Sequence, residues 1–335
     1  IPPIPLIPLT LPPMILITGA AGFIGSAMAA QLIERGRDDL WLVDDFSRAD
    51  RLPNYQDKAV RGLIERDRLM AWLEAHPQKP QAIVHLGART DTTEFDEAIF
   101  QRLNLRYSQE LWQYCAAEGV PLIYASSAAT YGAGEQGFDD DPALIPQLRP
   151  LNPYGQSKQD FDLWALAQPA APPRWYGLKF FNVYGPNEYH KGRMASVVLH
   201  AFNQIQATGQ MKLFRSHRPD FADGEQRRDF IYVKDLTRVM AWLLRGEAPN
   251  GIYNLGTGTA RSFLDLTRAV FAALDREPQI GFIDIPADIR ERYQYFTEAR
   301  MDRLRQAGYS ANFTSLEAGV GEYVQRYLMA EKQIW

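Results

Sequence analysis

Short apolar runs alternate with longer amphipathic stretches from Met14 to about Gly185. The runs are rich in β-branched and aromatic residues, as buried strands are, and the stretches between them are long enough to form helices. Repeated alternation of strand and helix predicts a doubly wound parallel sheet, which is an α/β fold. The predicted strands are MILIT at 14–18, DLWLVDD at 39–45, QAIVHLG at 81–87, PLIYASS at 121–127 and WYGLKFFNVYG at 175–185.

The second half of the chain breaks this rhythm with scattered glycines and prolines. Two more strand-like runs, RDFIYV at 228–233 and GIYNLG at 251–256, are expected to return to the first sheet or to its edge. The remaining pieces should form a smaller α/β domain over the carboxyl ends of the strands, where open α/β sheets bind ligands. The predicted division is 14–185 plus 228–256 for the larger domain and 186–227 plus 257–335 for the smaller one.

Composition narrows the class of protein. Of the 335 residues, 46% are hydrophobic and 23% are charged, which allows one large core and a second, smaller one. The net charge of −4 is small and no long run of like charges occurs, so nothing points to nucleic acid or an anionic membrane as a partner. The single cysteine, Cys115, excludes an internal disulfide and a zinc cluster, and no metal site is predicted. A reducing compartment, the cytoplasm, is expected.

The first thirteen residues, IPPIPLIPLTLPP, are uncharged and contain six prolines, so they cannot propagate a helix. They lack the basic start and the unbroken apolar run of a secretory signal. They are also too short for a membrane span, which needs about 20 apolar residues. We interpret residues 1–13 as a leader outside the core, either an artefact or a short extended arm, and expect the folded chain to begin at Met14.

A glycine-rich loop follows the first predicted strand. Gly19, Gly22 and Gly25 open a helix, and glycines at this spacing let the backbone turn sharply and approach a pyrophosphate. Asp44 lies nineteen residues beyond Gly25, at the end of the next strand, where a carboxylate meets an adenosine ribose. The pattern therefore predicts a Rossmann-type dinucleotide site.

The residues alone leave NAD and NADP open as the dinucleotide. Asp44 favours NAD, because a carboxylate accepts a hydrogen bond from a free 2′-hydroxyl and repels a 2′-phosphate. Arg48, Arg51 and Arg66 follow in the adjacent loops, and guanidinium groups suit bidentate contact with phosphate. The alternative role for these arginines is solvated surface charge.

A tyrosine and a lysine four residues apart, Tyr154 and Lys158, lie on one face of a predicted helix. A phenol has an ordinary pKa of about 10, too high for a base at neutral pH. A nearby ammonium and a positively charged nicotinamide would favour the phenolate and lower that pKa. Ahead of this pair, Ser126 and Ser127 end a predicted strand.

These motifs occur in the order GxxGxxG, strand-end serine, YxxxK, and residues 14–330 as a whole resemble the extended short-chain dehydrogenase/reductase family. The resemblance implies that Ser127 binds the reacting hydroxyl, that Tyr154 is an acid/base, and that Lys158 orients the nicotinamide ribose and tunes Tyr154. Ser126 is the competing serine, with strand-end hydrogen bonding as its other role. NADP becomes the expected cofactor, with NAD possible. The implied cofactor contacts are Gly19, Gly22, Phe23, Ile24, Gly25, Asp44, Asp45, Arg51, Arg66, Leu86, Gly87, Ala88, Asn104, Tyr154 and Lys158.

One branch of the family matches further. Dehydratases carry Asp-Glu after the strand-end hydroxyl residue, whereas this chain has Ala128-Ala129, which favours epimerisation or simple oxidoreduction. The stretch FNVYGPNEYHKGRMAS at 181–196 resembles the branch that epimerises ADP-heptose. Further matches to this branch are YASSAATYG, Thr92-Thr93-Glu94, RDFIYV with Asp235, IYNLGTG and Arg292-Tyr293-Gln294.

This branch implies an ADP-heptose substrate, oxidised at C6 by bound NADP and then reduced again from the other face. Tyr154 and Lys191 are the implied acid/base pair, and the alternative role for Lys191 is that of a surface lysine. His200 is otherwise a helix histidine, and the loop 215–226 is longer than in the branch, which leaves its nucleotide contacts open. The branch also implies lipopolysaccharide core biosynthesis and a homo-oligomer, often a pentamer. The implied substrate contacts are Asn182, Val183, Arg193, His200, Phe214, Arg228 and Tyr293.

Two rival interpretations remain. A sugar-nucleotide 4-epimerase, such as one acting on UDP-galactose, would share everything up to Lys158, but the His190-Lys191-Gly192 element argues against it. A cofactor-binding sensor or scaffold that has lost catalysis would not need Ser127, Tyr154 and Lys158 all intact.

Overall fold

The computed structural model describes residues 14–92, 94–290, 293–330 and 333–335. The leader 1–13, Thr93 and Arg292 lie outside the described residues, so the predictions made on them have no structural counterpart. The strands are β1 Ile15–Thr18, β2 Leu40–Asp44, β3 Gly62–Glu65, β4 Ala82–His85, β5 Leu122–Ser127, β6 Trp175–Phe180, β7 Asn182–Tyr184, β8 Met211–Phe214, β9 Arg227–Arg228, β10 Phe230–Tyr232, β11 Gly251–Leu255, β12 Arg261–Ser262 and β13 Ile280–Ile283.

The α-helices of the described residues flank these strands, and short 3₁₀ and π segments connect or extend them. The helices are α1 Phe23–Glu34, α2 Leu69–Ala75, α3 Glu97–Phe100, α4 Tyr107–Glu118, α5 Pro153–Leu166, α6 Val197–Thr208, α7 Val233–Leu243, α8 Phe263–Ala273, α9 Ala287–Arg290, α10 Asp302–Gln306 and α11 Leu316–Tyr323. None of the helices in the described part of the chain is both long and apolar enough to cross a membrane.

Seven parallel strands form the main sheet in the order β11-β6-β5-β4-β1-β2-β3. The predicted doubly wound α/β fold is therefore confirmed. The order reverses between β1 and β4, and this switch point is where such sheets open a crevice at the carboxyl ends of their strands. The loops that follow β1, β2, β4 and β5 all leave the sheet at that edge, and they carry most of the predicted site residues.

Successive residues of the strands point to opposite faces of the sheet, as the two-residue period of a strand requires, and are buried in two separate hydrophobic cores. Ile15 and Ile17 pack with α1 and α7 on one face, whereas Leu16 packs with α2, α4 and α5 on the other. Cys115 lies fully buried in the second core, where burial raises the pKa of its thiol. The cysteine is therefore a small core residue and no metal or redox group.

A third hydrophobic core lies in the region beyond the main sheet. It is formed by α6, α8 and α11 with β8 and β10, and Val198, Phe271 and Val320 are fully buried in it. Phe23 and Ala27 of α1 also contribute to this core. The helix that follows the glycine loop therefore joins the two parts of the molecule.

The two later strand predictions have different outcomes. GIYNLG becomes β11 and joins the main sheet beside β6, as predicted. RDFIYV instead gives β10, which pairs with β7 in a separate two-stranded sheet. The predicted run 175–185 breaks at Phe181, whose N–H donates to the carbonyl of Leu255. After that break, β7 continues beyond the carboxyl end of β6 and pairs there with β10.

Candidate active site

The glycine loop is closed tightly against the switch point. Gly19 has a φ of +68°, and a Cβ on it would lie 2.6 Å from the backbone nitrogen of Gly87. A Cβ on Gly25 would lie 2.1 Å from the carbonyl oxygen of Gly19, so neither position tolerates a side chain. Gly22 caps α1 and provides no side-chain acceptor, which leaves the first-turn amides for an anion. These residues fit a dinucleotide pyrophosphate.

Asp44 ends β2 and is buried against the glycine loop. Its Oδ2 accepts from the N–H of Ala21 at 2.9 Å, and its Oδ1 accepts from the N–H of Asp45 at 2.8 Å. Burial raises the pKa of Asp44, and these hydrogen bonds together with Arg51 oppose the rise. The carboxylate therefore already holds the loop in shape. Asp45 turns away, and its own carboxylate accepts from Ser47.

The three nearby arginines differ in their partners. Arg48 is paired with Asp50, and Arg66 donates to Asp67 from Nε at 2.8 Å and from Nη2 at 3.2 Å. Arg51 reaches Asp44 at 3.5 Å, but its buried Nε finds no acceptor among the described residues. Of the three, Arg51 has the donor best placed for a further anionic oxygen.

A directed chain of hydrogen bonds supports the loop after β4, where Leu86, Gly87 and Ala88 lie. The N–H of Gly87 donates to Thr18 Oγ1 at 3.1 Å, and that hydroxyl lies 2.7 Å from Nδ1 of His85. On the other side of the ring, Nε2 lies 2.9 Å from Ser108 Oγ, which itself donates to the carbonyl of Asn104. Since the Ser108 proton is used there, His85 donates from Nε2 and accepts at Nδ1. Burial lowers the pKa of His85 to about 3, so the ring stays neutral.

Asn104 lies in a π-helical stretch, 101–106, and is buried between two elements. Its Oδ1 accepts from the N–H of Arg89, while its Nδ2 donates to the Arg89 carbonyl and to Ser157 Oγ, each at 2.9 Å. It thus ties the loop after β4 to α5, next to Lys158. This placement agrees with a structural asparagine, although its contact with a cofactor stays a prediction.

Helix α5 presents Tyr154 and Lys158 toward the end of β5. Asn152 caps the helix by accepting from the N–H of Gly155 at 2.8 Å, and Pro153 occupies the first turn, where its missing N–H costs nothing. Lys158 Nζ donates to the carbonyl of Ala125 at 2.7 Å. This cap fixes where the helix starts and hence which residues face the strand end.

The two neighbouring serines have separate partners. Ser126 donates to Asp162 Oδ2 at 2.6 Å, inside the core. Ser127 is the serine that acts to lower the pKa of the Tyr154 phenol, and its Oγ accepts from the N–H of Ala129 at 3.1 Å. Geometry therefore favours Ser127 over Ser126 as the serine that acts with Tyr154.

The electrostatics of this pair are set mainly by burial. Burial raises the pKa of Tyr154, and the hydrogen bond from Ser127 opposes that rise. Burial also lowers the pKa of Lys158 to about 8, while the charge of Asp162 acts in the opposite direction. Without a bound cation, Tyr154 is a protonated phenol that is ready to donate.

Lys191 lies on the 3₁₀ segment Tyr189–Met194 and is partly buried. Its ammonium is 5.3 Å from the centre of the Phe23 ring, at the first residue of α1. Burial lowers the pKa of Lys191, and the carboxylate of Glu188 opposes this. Among the described residues, no hydrogen bond joins Lys191 to Tyr154. The lysine is therefore partly shielded from solvent and lies beside the first residue of α1, while its acid/base role stays a prediction.

Two asparagines that the sequence analysis missed link the Lys191 segment to the glycine loop by hydrogen bonds. Asn187, fully buried with a φ of +79°, donates to Ser26 Oγ on α1 at 3.0 Å. Asn54 donates to the carbonyl of Ala21 at 2.9 Å and to that of Asn187 at 3.2 Å. Asn187 also pairs with the backbone of Trp335, accepting from its N–H at 2.9 Å. The tolerance of asparagine for a left-handed φ was the available signal.

Three of the predicted substrate residues form one aromatic cluster. The Arg228 guanidinium lies 5.4 Å from the Tyr293 ring and 5.5 Å from the Phe263 ring, and Phe214 meets Tyr293 edge-on at 5.9 Å. Arg228 also donates to the carbonyls of Arg227 and Gln294. Planar aromatic and guanidinium surfaces of this kind can stack on a base or sit beside a phosphate.

The other predicted substrate residues lie apart from that cluster. Arg193 reaches Asp91 at 3.5 Å, and the exposed ring of His200 lies 3.3 Å from the Arg193 carbonyl. Asn182 and Val183 lie on β7, beside β10. No recorded contact among the described residues joins Arg193 and His200 to the aromatic cluster, so any shared ligand would have to span the two groups.

The long loop at 215–226 is held by its own residues. Ser216 donates its N–H to Asp223 at 2.8 Å, and Arg218 lies 5.1 Å from the Tyr295 ring and is paired with Asp220. His217 donates its N–H to Tyr295 Oη at 3.1 Å. The loop is thus anchored next to the aromatic cluster, and its contact with a nucleotide stays open.

A Rossmann sheet with a glycine loop at its switch point and a Ser127, Tyr154 and Lys158 constellation beside it defines a dinucleotide-dependent short-chain dehydrogenase/reductase-type enzyme. The chain belongs to the NAD dependent epimerase/dehydratase family, which residues 15–256 match. The resemblance drawn from its motifs is therefore confirmed at the level of the family, and the chain is an epimerase of this class.

Named relatives cover nearly the whole chain. An ADP-L-glycero-D-manno-heptose-6-epimerase of Nitratidesulfovibrio vulgaris strain DP4 is 51% identical over 320 residues, covering 95% of this chain and 98% of that protein. One of Fusobacterium nucleatum subsp. nucleatum is 47% identical over 328 residues, covering 95% and 99%. The crystal structure of the Helicobacter pylori enzyme of the same name has a TM-score of 0.78 at 25% identity, covering 94% of this chain and 96% of that one.

Proposed function

We propose that the chain converts ADP-D-glycero-β-D-manno-heptose to ADP-L-glycero-β-D-manno-heptose by transient oxidation at C6, as a step of lipopolysaccharide core biosynthesis. The observation that carries this proposal is the 51% identity, over 98% of its length, to a protein named for that reaction. The larger domain, 14–185 plus 228–256, would hold the dinucleotide, and 186–227 plus 257–335 would hold the sugar nucleotide.

The bound dinucleotide supplies a reversible two-electron acceptor for C6, so the reaction has no net redox change. Tyr154 would take the hydroxyl proton as the carbonyl forms, and Ser127, the serine that acts on the Tyr154 phenol, would hold the same oxygen. The ammonium of Lys158 stabilises the phenolate form of Tyr154. The cofactor's own positive charge acts in the same direction.

Inversion needs a second orientation of the carbonyl, since hydrogen leaves one face of C6 and returns to the other. Lys191 is the group we assign to the second orientation. It is partly buried, its pKa is lowered by burial, and a lysine of this kind exchanges protons near neutral pH more readily than a solvated one. Its position over Phe23 puts it at the cofactor side of the crevice.

The substrate's diphosphate and base would occupy the aromatic cluster of Phe214, Arg228 and Tyr293. Arg193 and His200 would meet the sugar end, nearer Lys191. For the cofactor we propose NADP over NAD, because the buried Nε of Arg51 lacks an acceptor beside Asp44. We also propose a homo-oligomer, a pentamer in the related branch, working in the cytoplasm.

The test is proton NMR of the purified protein with ADP-D-glycero-β-D-manno-heptose and no added cofactor, with UDP-galactose in a parallel tube. Conversion of the heptose alone to its C6 epimer is the expected result. Reaction of UDP-galactose alone would make the chain a 4-epimerase and remove Lys191 from the mechanism. Tight retention of cofactor with no turnover of either sugar would favour a binding protein.

Tyr154→Phe provides the control for chemistry as opposed to binding. The variant should keep its cofactor and lose turnover by about a hundredfold or more, since it lacks the exchangeable proton. Tyr309→Phe, a buried tyrosine packed against Trp242 and remote from the crevice, should remain active.

A further inference from the structure

Behind Tyr154 and Lys158, a fully buried ion pair occupies the space between α5 and the main sheet. Asp162 Oδ2 lies 2.7 Å from Lys179 Nζ, and both side chains are 0% exposed. Asp162 follows Lys158 by four residues, so the two lie one above the other on the same helix face. No motif used for the family contains either member of this pair.

The Asp162 carboxylate gathers donors from several elements. Ser126 Oγ donates to Oδ2 at 2.6 Å, and Tyr124 Oη donates to Oδ1 at 3.1 Å, both from β5. Lys179, from β6, also donates to Thr130 Oγ1 at 2.7 Å. One carboxylate thus ties the helix that carries Tyr154 to the strand end that carries Ser127.

A buried ion pair is a poor source of net stability, because desolvation offsets the attraction between the two charges. An apolar pair of similar volume would fold about as well. Net stability therefore does not explain why an ion pair is buried at this position. We find the reason in the neighbour one turn earlier, Lys158. Its ammonium is also buried, and within the described part of the chain its one acceptor is the carbonyl of Ala125.

The charged and titratable groups around Lys158 are few among the described residues. On its own helix they are Tyr154 and Asp162, and from β4 the ring of His85 faces it. His85 is neutral, as its hydrogen bonds require, and Tyr154 is a phenol until it reacts. The anionic neighbour is therefore Asp162.

We propose that Asp162 is a positioning residue of the epimerase reaction: its carboxylate keeps Lys158 in the ammonium form and, by holding Ser126, directs the adjacent Ser127 toward Tyr154. The inference rests on the proposed function, because it concerns the groups assigned there to proton transfer. Lys179 compensates the charge of Asp162, so that the pair as a whole can be buried.

The test uses Asp162→Asn, which keeps the shape of the side chain, and Asp162→Asn/Lys179→Met, which also removes the cation left without a partner. The readout is kcat against pH for the cofactor-loaded enzyme. Without the anionic charge, Lys158 loses its proton at lower pH, so the alkaline limb of Asp162→Asn should move down by about half a pH unit or more. The limb of the double variant should move in the same direction by less, because that variant also loses the repulsion between Lys179 and Lys158. The KM should change by less than about threefold, since neither group contacts substrate.

Asp235→Asn is the matched control. Asp235 is a buried carboxylate on α7 that accepts from Thr314 and forms an ion pair with Arg238, and no contact in the described residues joins it to Lys158. Its variant should lose stability and leave the pH of the alkaline limb where it was. An alkaline limb that coincides with the wild type in both Asp162 variants would overturn the inference, whatever their stability. A wild-type protein inactive on every nucleotide sugar would instead remove the proposed function.

Discussion

The ammonium of Lys191 lies 5.3 Å from the centre of the Phe23 ring, and Phe23 is the first residue of the helix that follows the glycine loop. The lysine to which we assign the second orientation of the carbonyl thus lies beside the glycine loop. Two kinds of contact hold it there. The negative charge of Glu188 favours the ammonium form of Lys191, and the Asn54 and Asn187 bridge links the Lys191 segment to the glycine loop.

Replacing Lys191 separates an acid/base role from a role in cofactor binding. Lys191→Ala should lower kcat by about a hundredfold and change the cofactor Kd by less than about threefold. Lys191→Arg keeps the charge but cannot give up its proton, so it should stay impaired. The measurements are steady-state kinetics and a cofactor titration, with exposed Lys212→Ala as the control. If a Lys191 variant binds the cofactor more weakly but turns over normally when saturated with cofactor, Lys191 acts in cofactor binding and not as an acid/base.

Asn187 tests whether the bridge to the glycine loop matters for activity. Asn187→Gly keeps the left-handed backbone and removes the bonds to Ser26 and Trp335, so kcat should fall about tenfold as the Lys191 segment loosens. Asn187→Ala removes the same bonds and adds left-handed strain, so it should be less stable than the glycine variant by roughly 1 kcal/mol. Urea unfolding measures the second effect. Equal stability of the two variants would contradict the strain argument.

Substitution of Arg51 tests the proposed preference for NADP over NAD. Arg51→Ala should weaken NADP binding at least about tenfold and leave NAD binding nearly unchanged, because the variant lacks the guanidinium that we propose for the 2′-phosphate. Isothermal titration of the cofactor-free protein measures both affinities. Arg48→Ala is the comparison, since Arg48 is already paired with Asp50. Equal losses for NAD and NADP in Arg51→Ala would point to NAD as the natural cofactor.

His85 makes stability depend on acid pH. Its pKa is about 3 in the folded chain, mainly through burial, against about 6.5 when unfolded. Its contribution is therefore complete above about pH 6.5 and is lost as the pH falls toward 3, at up to about 1.4 kcal/mol per pH unit. Denaturant titrations across this range should show a shallower decline in His85→Gln than in the wild type. Identical slopes would mean that His85 is protonated in the folded chain or is not buried.

Most of the fold could be predicted from local sequence patterns. Strand runs such as those that became β1 and β5 are apolar on both faces because helices cover both sides of a parallel sheet, and that pattern is legible without a structure. The short β3, with one buried residue among four, gave no such pattern. β10 pairs with β7 and does not join the main sheet, and no local signal marks the break at Phe181 that separates β7 from β6.

The site was predictable where chemistry recurs at fixed spacing, as for Gly19 and the Tyr154 and Lys158 pair. The supporting residues are far apart in sequence: Asn54 meets Asn187, and Asp162 meets Lys179 across two elements. A lysine inside an apolar strand was the one visible sign of the second pair. Which charge it would meet depended on the packing of α5 against β6, and no spacing rule gives that.

The most direct test of transient oxidation at C6 uses ADP-D-glycero-β-D-manno-heptose deuterated at C6, incubated with the enzyme in ordinary water. Mass spectrometry and proton NMR of the L-glycero product then report whether the label is kept. Retention of deuterium at C6 is the predicted result, because the hydrogen that leaves the carbon is returned to it within the same site. A product carrying solvent hydrogen at C6 would contradict the account, since the carbon would then have exchanged its hydrogen as a proton.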